Sequence, residues 1–273
     1  MNDALPRVVT FDGEARSGKG TIVQLTKDYL RDQLGLKAML IDRGQTFRVL
    51  VVAAARANIS VDNPAAIDAF LTNDQHLANC TQLVKDVYHM EKPERDALLY
   101  TNTVSENSAK IGARAASQDF VRRLTKKWLH DAGQEGYEVV LIDGRALEHI
   151  AREMHDEGLC DFRLGLYFIC DSQMGARRTL GLATRPYEQL SVAERRVVDD
   201  FMVQITERNQ RDFARSSEPL VRPDAATLWR LPDPAPELPA GACPQLIVDT
   251  SADMTKKAMS QPVAELVGRY VEA

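Results

Sequence analysis

Residues 7–12 (RVVTFD) are an apolar run with β-branched residues. The next nine, Gly13-Glu14-Ala15-Arg16-Ser17-Gly18-Lys19-Gly20-Thr21, lead straight into a helical pattern over 20–33. This strand, glycine loop and helix constrain the fold more than any other feature of the chain. Glycine lets successive backbone N–H groups turn inward as an anion-binding concavity, and the helix N-terminus adds partial positive charge. Lys19 is placed to reach terminal phosphates. The strict pattern is G-x4-G-K-[ST]; here Gly20 takes the Ser/Thr position and Thr21 follows. A glycine turn with no ligand has the same local composition. The strand before and the helix after distinguish the two, and both are present.

Four further runs read as strands: 37–42 (KAMLID), 138–143 (EVVLID), 163–169 (RLGLYFI) and 245–249 (QLIVD). Near-continuous apolar runs suit strands buried on both faces, as in a parallel sheet. Helical patterns fall between them at 104–132 (interrupted), 146–157, 192–213 and 258–270. The alternation predicts an α/β fold with a five-stranded parallel sheet. Residues 49–103 read as mostly helical. Residues 223–244 hold six of the twelve prolines (Pro223, Pro232, Pro234, Pro236, Pro239, Pro244) and read as an extended surface loop. No internal repeat is evident.

The chain's 273 residues allow one large domain or two modest ones, with 44% hydrophobic residues to supply a core. A net charge of −5 argues against a general nucleic-acid binder. Yet the basic residues are 24 Arg and 10 Lys. Arg offers a planar fork that fits phosphate; surface solubility accounts for the same bias equally well. Cys80, Cys160, Cys170 and Cys243 form no CxxC pair, and the five histidines add no metal-ligand spacing. Free thiols in a reducing cytoplasm are expected. No run of 18 apolar residues predicts a membrane span. Residues 1–7 are short and polar, and are expected to be neither a signal nor a transit peptide.

Asp143 ends the third strand, where a carboxylate can face Mg²⁺; turn chemistry also favours Asp there. Asp42-Arg43-Gly44-Gln45-Thr46-Phe47-Arg48 follows the second strand. Arg208, Asp212 and Arg215 share one helix face at i, i+4, i+7. Two guanidiniums around a carboxylate can grip phosphate while the carboxylate accepts from a ribose hydroxyl. The residues alone favour a solvated salt-bridge ladder.

Five blocks in order resemble the bacterial-type cytidylate (CMP/dCMP) kinases. Asp12–Thr21 is similar to the family's DGxxxxGKGT, and 42–48 to its DxGxxYR. Asp143-Gly144-Arg145-Ala146 is similar to DGRD. Residues 208–220 resemble RDxxDxxRxxxPL, and Asp249-Thr250-Ser251 the late DTS turn. The resemblance spans residues 8–270 and shifts the Arg/Asp face from ladder to nucleotide clamp.

The resemblance implies a single three-layer P-loop kinase domain. Its core would be 7–48, 104–172 and 214–273, with a monophosphate-binding insertion at 49–103, a lid at 173–213 and a Pro-rich surface insert at 223–244. ATP would lie on Gly13, Glu14, Ala15, Arg16, Ser17, Gly18, Lys19, Gly20 and Thr21, with Mg²⁺ at Thr21 and Asp143. Lys19, Asp143, Arg145, Arg178 and Arg185 would serve the transfer, with Arg177 also in the lid. Asp42, Arg48, Arg122, Arg208, Asp212 and Arg215 would hold a nucleoside monophosphate, most simply CMP or dCMP. Arg48 would bind its phosphate and Arg122 its base. A cytoplasmic monomer with no nucleic-acid or membrane partner is expected. Departures from the pattern are Arg16 for Gly, Arg43 for Ser/Thr, Phe47 for Tyr, Ala146 for Asp and Asn209 for Asp, with added length within 108–122 and at 223–244. They leave open another acceptor, such as UMP or a hydroxylated metabolite, or a nucleotide-binding regulator without catalysis.

Overall fold

The computed structural model describes residues 5–216, 218–238 and 243–272. Residues 1–4 of the N-terminal segment, Ser217 of the 208–220 block and Pro239 of the Pro-rich stretch lie outside them. In chain order the elements are β1 (Arg7–Gly13), α1 (Lys19–Asp32), β2 (Ala38–Asp42), α2 (Arg43–Arg56), α3 (Pro64–Thr72), α4 (Asp74–His89), α5 (Lys92–Leu99), α6 (Asn102–Gly112) and α7 (Ala115–Gln134). There follow β3 (Val139–Asp143), α8 (Leu147–Asp156), β4 (Asp161–Ile169), α9 (Ser172–Thr179), a 3-10 turn (Tyr187–Gln189), α10 (Val192–Phe213), β5 (Thr227–Arg230), β6 (Gln245–Asp249) and α11 (Lys256–Glu272).

The chain forms two compact units. One comprises Met1–Ile41, Leu129–Arg215 and Pro219–Ala273; the other comprises Asp42–Trp128 and Ser216–Glu218. The first unit holds an α/β sheet in the order β2-β3-β1-β4-β6-β5. β1 pairs in parallel with β3 and β4, and β6 pairs in parallel with β4 and β5. Side chains alternate along each strand. Val9, Phe11, Leu141, Leu166 and Val248 therefore bury one face against Ile22 and Leu30 of α1 and Val263 and Val267 of α11. α8 packs on β1 and β4 with Leu147, Ile150, Ala151 and Met154 buried outside that cluster, so helices cover both faces. α9, the 3-10 turn and α10 add a small cluster around Ala176, Leu190, Val198 and Ile205.

Among the described residues the sheet has six strands, not five. β5 lies inside the 223–244 stretch expected to be a surface loop, and Trp229 and Leu231 belong to the main core at 2% exposure each. Four residues between Pro223 and Pro232 are too few to display a strand's period. β5 is defined by its pairing with β6.

The second unit is helical: α2 to α6 and most of α7 surround Leu50, Ile67, Phe70, Leu83, Leu99 and Leu124. It contains the expected 49–103 insertion and also takes in 42–48 and 104–128. Among the described residues, no helix is long and apolar enough to cross a membrane.

Candidate active site

β1 ends at Gly13, whose φ is +131° and whose missing Cβ would lie 2.2 Å from the Phe168 carbonyl oxygen of β4. Only glycine lets the chain leave the sheet there. Arg16 (φ 61°) and Gly18 (φ 81°) take left-handed conformations before α1 begins at Lys19. Three distant segments hold the loop. Asn209 Oδ1 of α10 accepts from the Ala15 N–H at 2.8 Å. Thr250 Oγ1, just after β6, donates to the Ser17 carbonyl at 2.8 Å. Arg222 pairs with Glu14 at 2.7 Å. Ser251 completes the turn after β6 by accepting from the Asp171 N–H at 2.8 Å.

Parallel pairing sets Asp143, at the end of β3, opposite Phe11. There Asp143 forms a largely buried ion pair with the Lys19 ammonium. Asp12 lies beneath, 7% exposed, accepting from the Gly13 N–H at 2.6 Å and the Leu147 N–H at 2.8 Å. Burial raises the Asp12 carboxyl above its usual range, opposed by those N–H groups and by the Lys19 and Arg145 charges. Thr21 is half-buried in the first turn of α1. Among the described residues, no three His, Cys, Asp or Glu side chains gather into a metal cage. Mg²⁺ needs only one or two carboxylates when waters and phosphates supply the rest, and the oxygen donors Asp143 and Thr21 fit that requirement.

Asp212, with its side chain 4% exposed, draws three arginines: Arg215 at 2.6 Å, Arg145 at 2.8 Å and Arg208 at 4.0 Å. Arg145 comes from the β3–α8 connection, so the cluster is more than a ladder along α10. Phe201, Arg208 and Arg211 line a cavity of about 220 Å³ with Ala15 and Arg16 of the loop, and the Arg16 guanidinium lies 5.3 Å from the Phe201 ring.

Arg177 and Arg185 tie the 173–213 segment to itself, and Arg178 ties it to the turn after β6. Arg177 donates to the carbonyls of Ala183 and Arg185, Arg178 donates to that of Ala252, and Arg185 pairs with Glu194. Glu194 also completes a capping box with Ser191 at the start of α10. The Arg185 guanidinium, followed by the Ser191 groups, holds the Glu194 carboxyl down at about 2.

The second unit carries the other predicted residues. Asp42 caps α2 by accepting from the Gln45 N–H at 2.8 Å. Arg48 donates to the Gly44 carbonyl at 3.2 Å and lies 4.7 Å from the Tyr100 ring. Arg122 Nη2 donates to Glu218 at 3.0 Å, and Arg43 Nη2 donates to the same carboxylate at 2.9 Å. Sequence reasoning overlooked Asn209 as a loop anchor and Glu218 altogether. The only available signal for Glu218 was its place beside Pro219 in the 208–220 block.

No family model matches the chain. It is 28% identical over 232 residues to a cytidylate kinase of Shewanella pealeana, covering 84% of this chain and 88% of that one. A cytidylate kinase of Geobacter sulfurreducens is 27% identical over 226 residues, with 80% and 83% covered. One from Shewanella frigidimarina is 26% identical over 273 residues, with 99% of each chain covered. Over most of its length, then, the chain is similar to proteins named cytidylate kinase, the family its five sequence blocks resemble.

Proposed function

We propose that the protein is a phosphotransferase that moves the γ-phosphoryl of ATP in line to a nucleoside monophosphate, with CMP or dCMP the first acceptors to test. The observation that carries this reading is the Lys19–Asp143 pair, seated beside a glycine loop at the C-terminal ends of two parallel strands. Ligands of open α/β sheets bind at that end. Similarity to cytidylate kinases along most of the chain supports the acceptor class.

In this reading the amides of 13–21 cradle the phosphates, and Lys19 turns from Asp143 to the terminal phosphate. Asp143 and Thr21 would hold Mg²⁺, which when bound would supply charge neutralisation at the phosphates. Arg145, Arg178 and Arg185 steady the transferring group. In the first unit Arg208 is assigned to phosphate, Asp212 to a ribose hydroxyl and Arg215 to phosphate or base; in the second unit Arg48 is assigned to the acceptor's phosphate, Arg122 to its base, and Asp42 to acceptor binding. Positioning and charge stabilisation supply most of the catalysis, so no covalent intermediate on the protein is required.

Ala146, with no polar side chain, stands where the resembled family has a second carboxylate, so acceptor preference is the point to measure. In a coupled ADP-release assay with CMP, dCMP and UMP, the wild-type chain should release ADP only when an acceptor is present. Lys19→Ala should lower kcat by roughly 10³-fold, the scale of losing a preorganised charge contact. Acceptor-independent ADP release, or near-wild-type turnover in Lys19→Ala, would overturn the reading.

A further inference from the structure

The second unit contains a charge cluster in which the reading above gives a role to Arg122 but none to Glu218 or Arg43. Glu218, with its side chain 7% exposed, lies between Arg43, at 2%, and Arg122, at 32%. Arg43 Nη2 reaches Oε2 at 2.9 Å and Arg122 Nη2 reaches Oε1 at 3.0 Å. One carboxylate thus fixes the separation of two cations, one from the first residue of α2 and one from the middle of α7.

Two features argue against a purely stabilising role. A buried ion pair is often no more stable than well-packed apolar side chains in its place. Glu218 also has φ 47°, a left-handed conformation that a side chain disfavours. Strain of this kind persists where the surroundings over-determine it, and it clusters at functional sites. Glu218 moreover comes from the later chain yet groups with this unit, and Arg43 and Arg122 grip it. Arg122 keeps a third of its side chain open.

We propose that Glu218 is a positioning residue that sets base preference by locking the Arg122 guanidinium. This role rests on the reading that Arg122 meets the acceptor's base. A guanidinium can only donate. Held at a fixed angle, it matches two adjacent acceptors, as on the ring nitrogen and carbonyl of an aminopyrimidine. It is mismatched by a ring that carries N–H between its carbonyls. A guanidinium free to swing can instead find a single carbonyl on either ring, so discrimination falls. The recognised class is a pyrimidine monophosphate with an unprotonated ring nitrogen beside its carbonyl.

The test measures kcat and KM for CMP and UMP at saturating ATP, and KM for ATP at saturating CMP, in wild type, Glu218→Ala and the double variant Arg43→Ser with Glu218→Ala. The double variant removes both partners of the buried pair. It therefore avoids leaving the buried Arg43 charge without the Glu218 carboxylate, a loss that could unfold the single variant. The CMP-to-UMP ratio of kcat/KM should fall by about tenfold or more, since losing a fixed hydrogen-bonding partner relaxes selection. The change should lie in the CMP KM, with the KM for ATP within about twofold. An unchanged ratio in either folded variant overturns the role of Glu218 and leaves the kinase reading intact. A wild-type chain that phosphorylates neither acceptor overturns both.

Discussion

Gly13 and Arg16 stand three residues apart and show how differently one loop treats its positions. Arg16 takes φ 61° with its side chain exposed, so the position carries the local strain of that conformation without a clash against a neighbouring strand. Gly13 cannot carry a side chain, because a Cβ would meet the backbone of the neighbouring strand. Gly13→Ala therefore combines overpacking with backbone strain and should cost about 3 kcal/mol or more. Denaturant unfolding at fixed pH checks this, and a loss under about 1 kcal/mol would be at odds with the close approach of Gly13 to Phe168. The loop residues were legible in the sequence because glycine spacing and lysine placement are local rules. Asn209 was not, because its bond to the Ala15 amide joins positions 194 apart. Glu218 was hidden for the same reason. A buried carboxylate and an exposed one look alike in sequence, and only the fold brings Arg43 and Arg122 to it.

The apolar strands and the longer helices of the first unit were legible in the sequence, while the eight-residue α9 was not read. α10 was read at 192–213 and forms at Val192–Phe213; β6 was read at 245–249 and forms at Gln245–Asp249. β5 was missed because prolines dominate its surroundings and its one buried side chain shows no period. That side chain is a tryptophan in the main core, with its indole N–H donating to the Asp233 carbonyl at 2.8 Å. Trp229→Ala should destabilise the chain by about 3–5 kcal/mol, the range for removing a buried aromatic. Thermal or denaturant unfolding gives the value. A change under about 1 kcal/mol would return 223–238 to the status of a surface loop.

At the scale of the molecule, the bias toward arginine over lysine resolves into several separate uses. Arg145, Arg208 and Arg215 surround Asp212, while Arg43 and Arg122 share Glu218. Arg177, Arg178 and Arg185 bind carbonyls and a carboxylate within the first unit. Composition could flag the excess but not divide it between binding and construction, because that division depends on which carboxylates are buried. The last strand in the sheet order has a further consequence. β5 occupies the hydrogen-bonding flank of β6, and without it β6 would offer a row of bare N–H and C=O groups to solvent. Such an open edge is a template for pairing with another chain, and short strands and prolines are common guards against it. The proline-rich segment thus protects the protein from itself. Removing residues 223–244 should both destabilise the chain, because Trp229 and Leu231 leave the core, and make it self-associate, seen as concentration-dependent growth in size by light scattering.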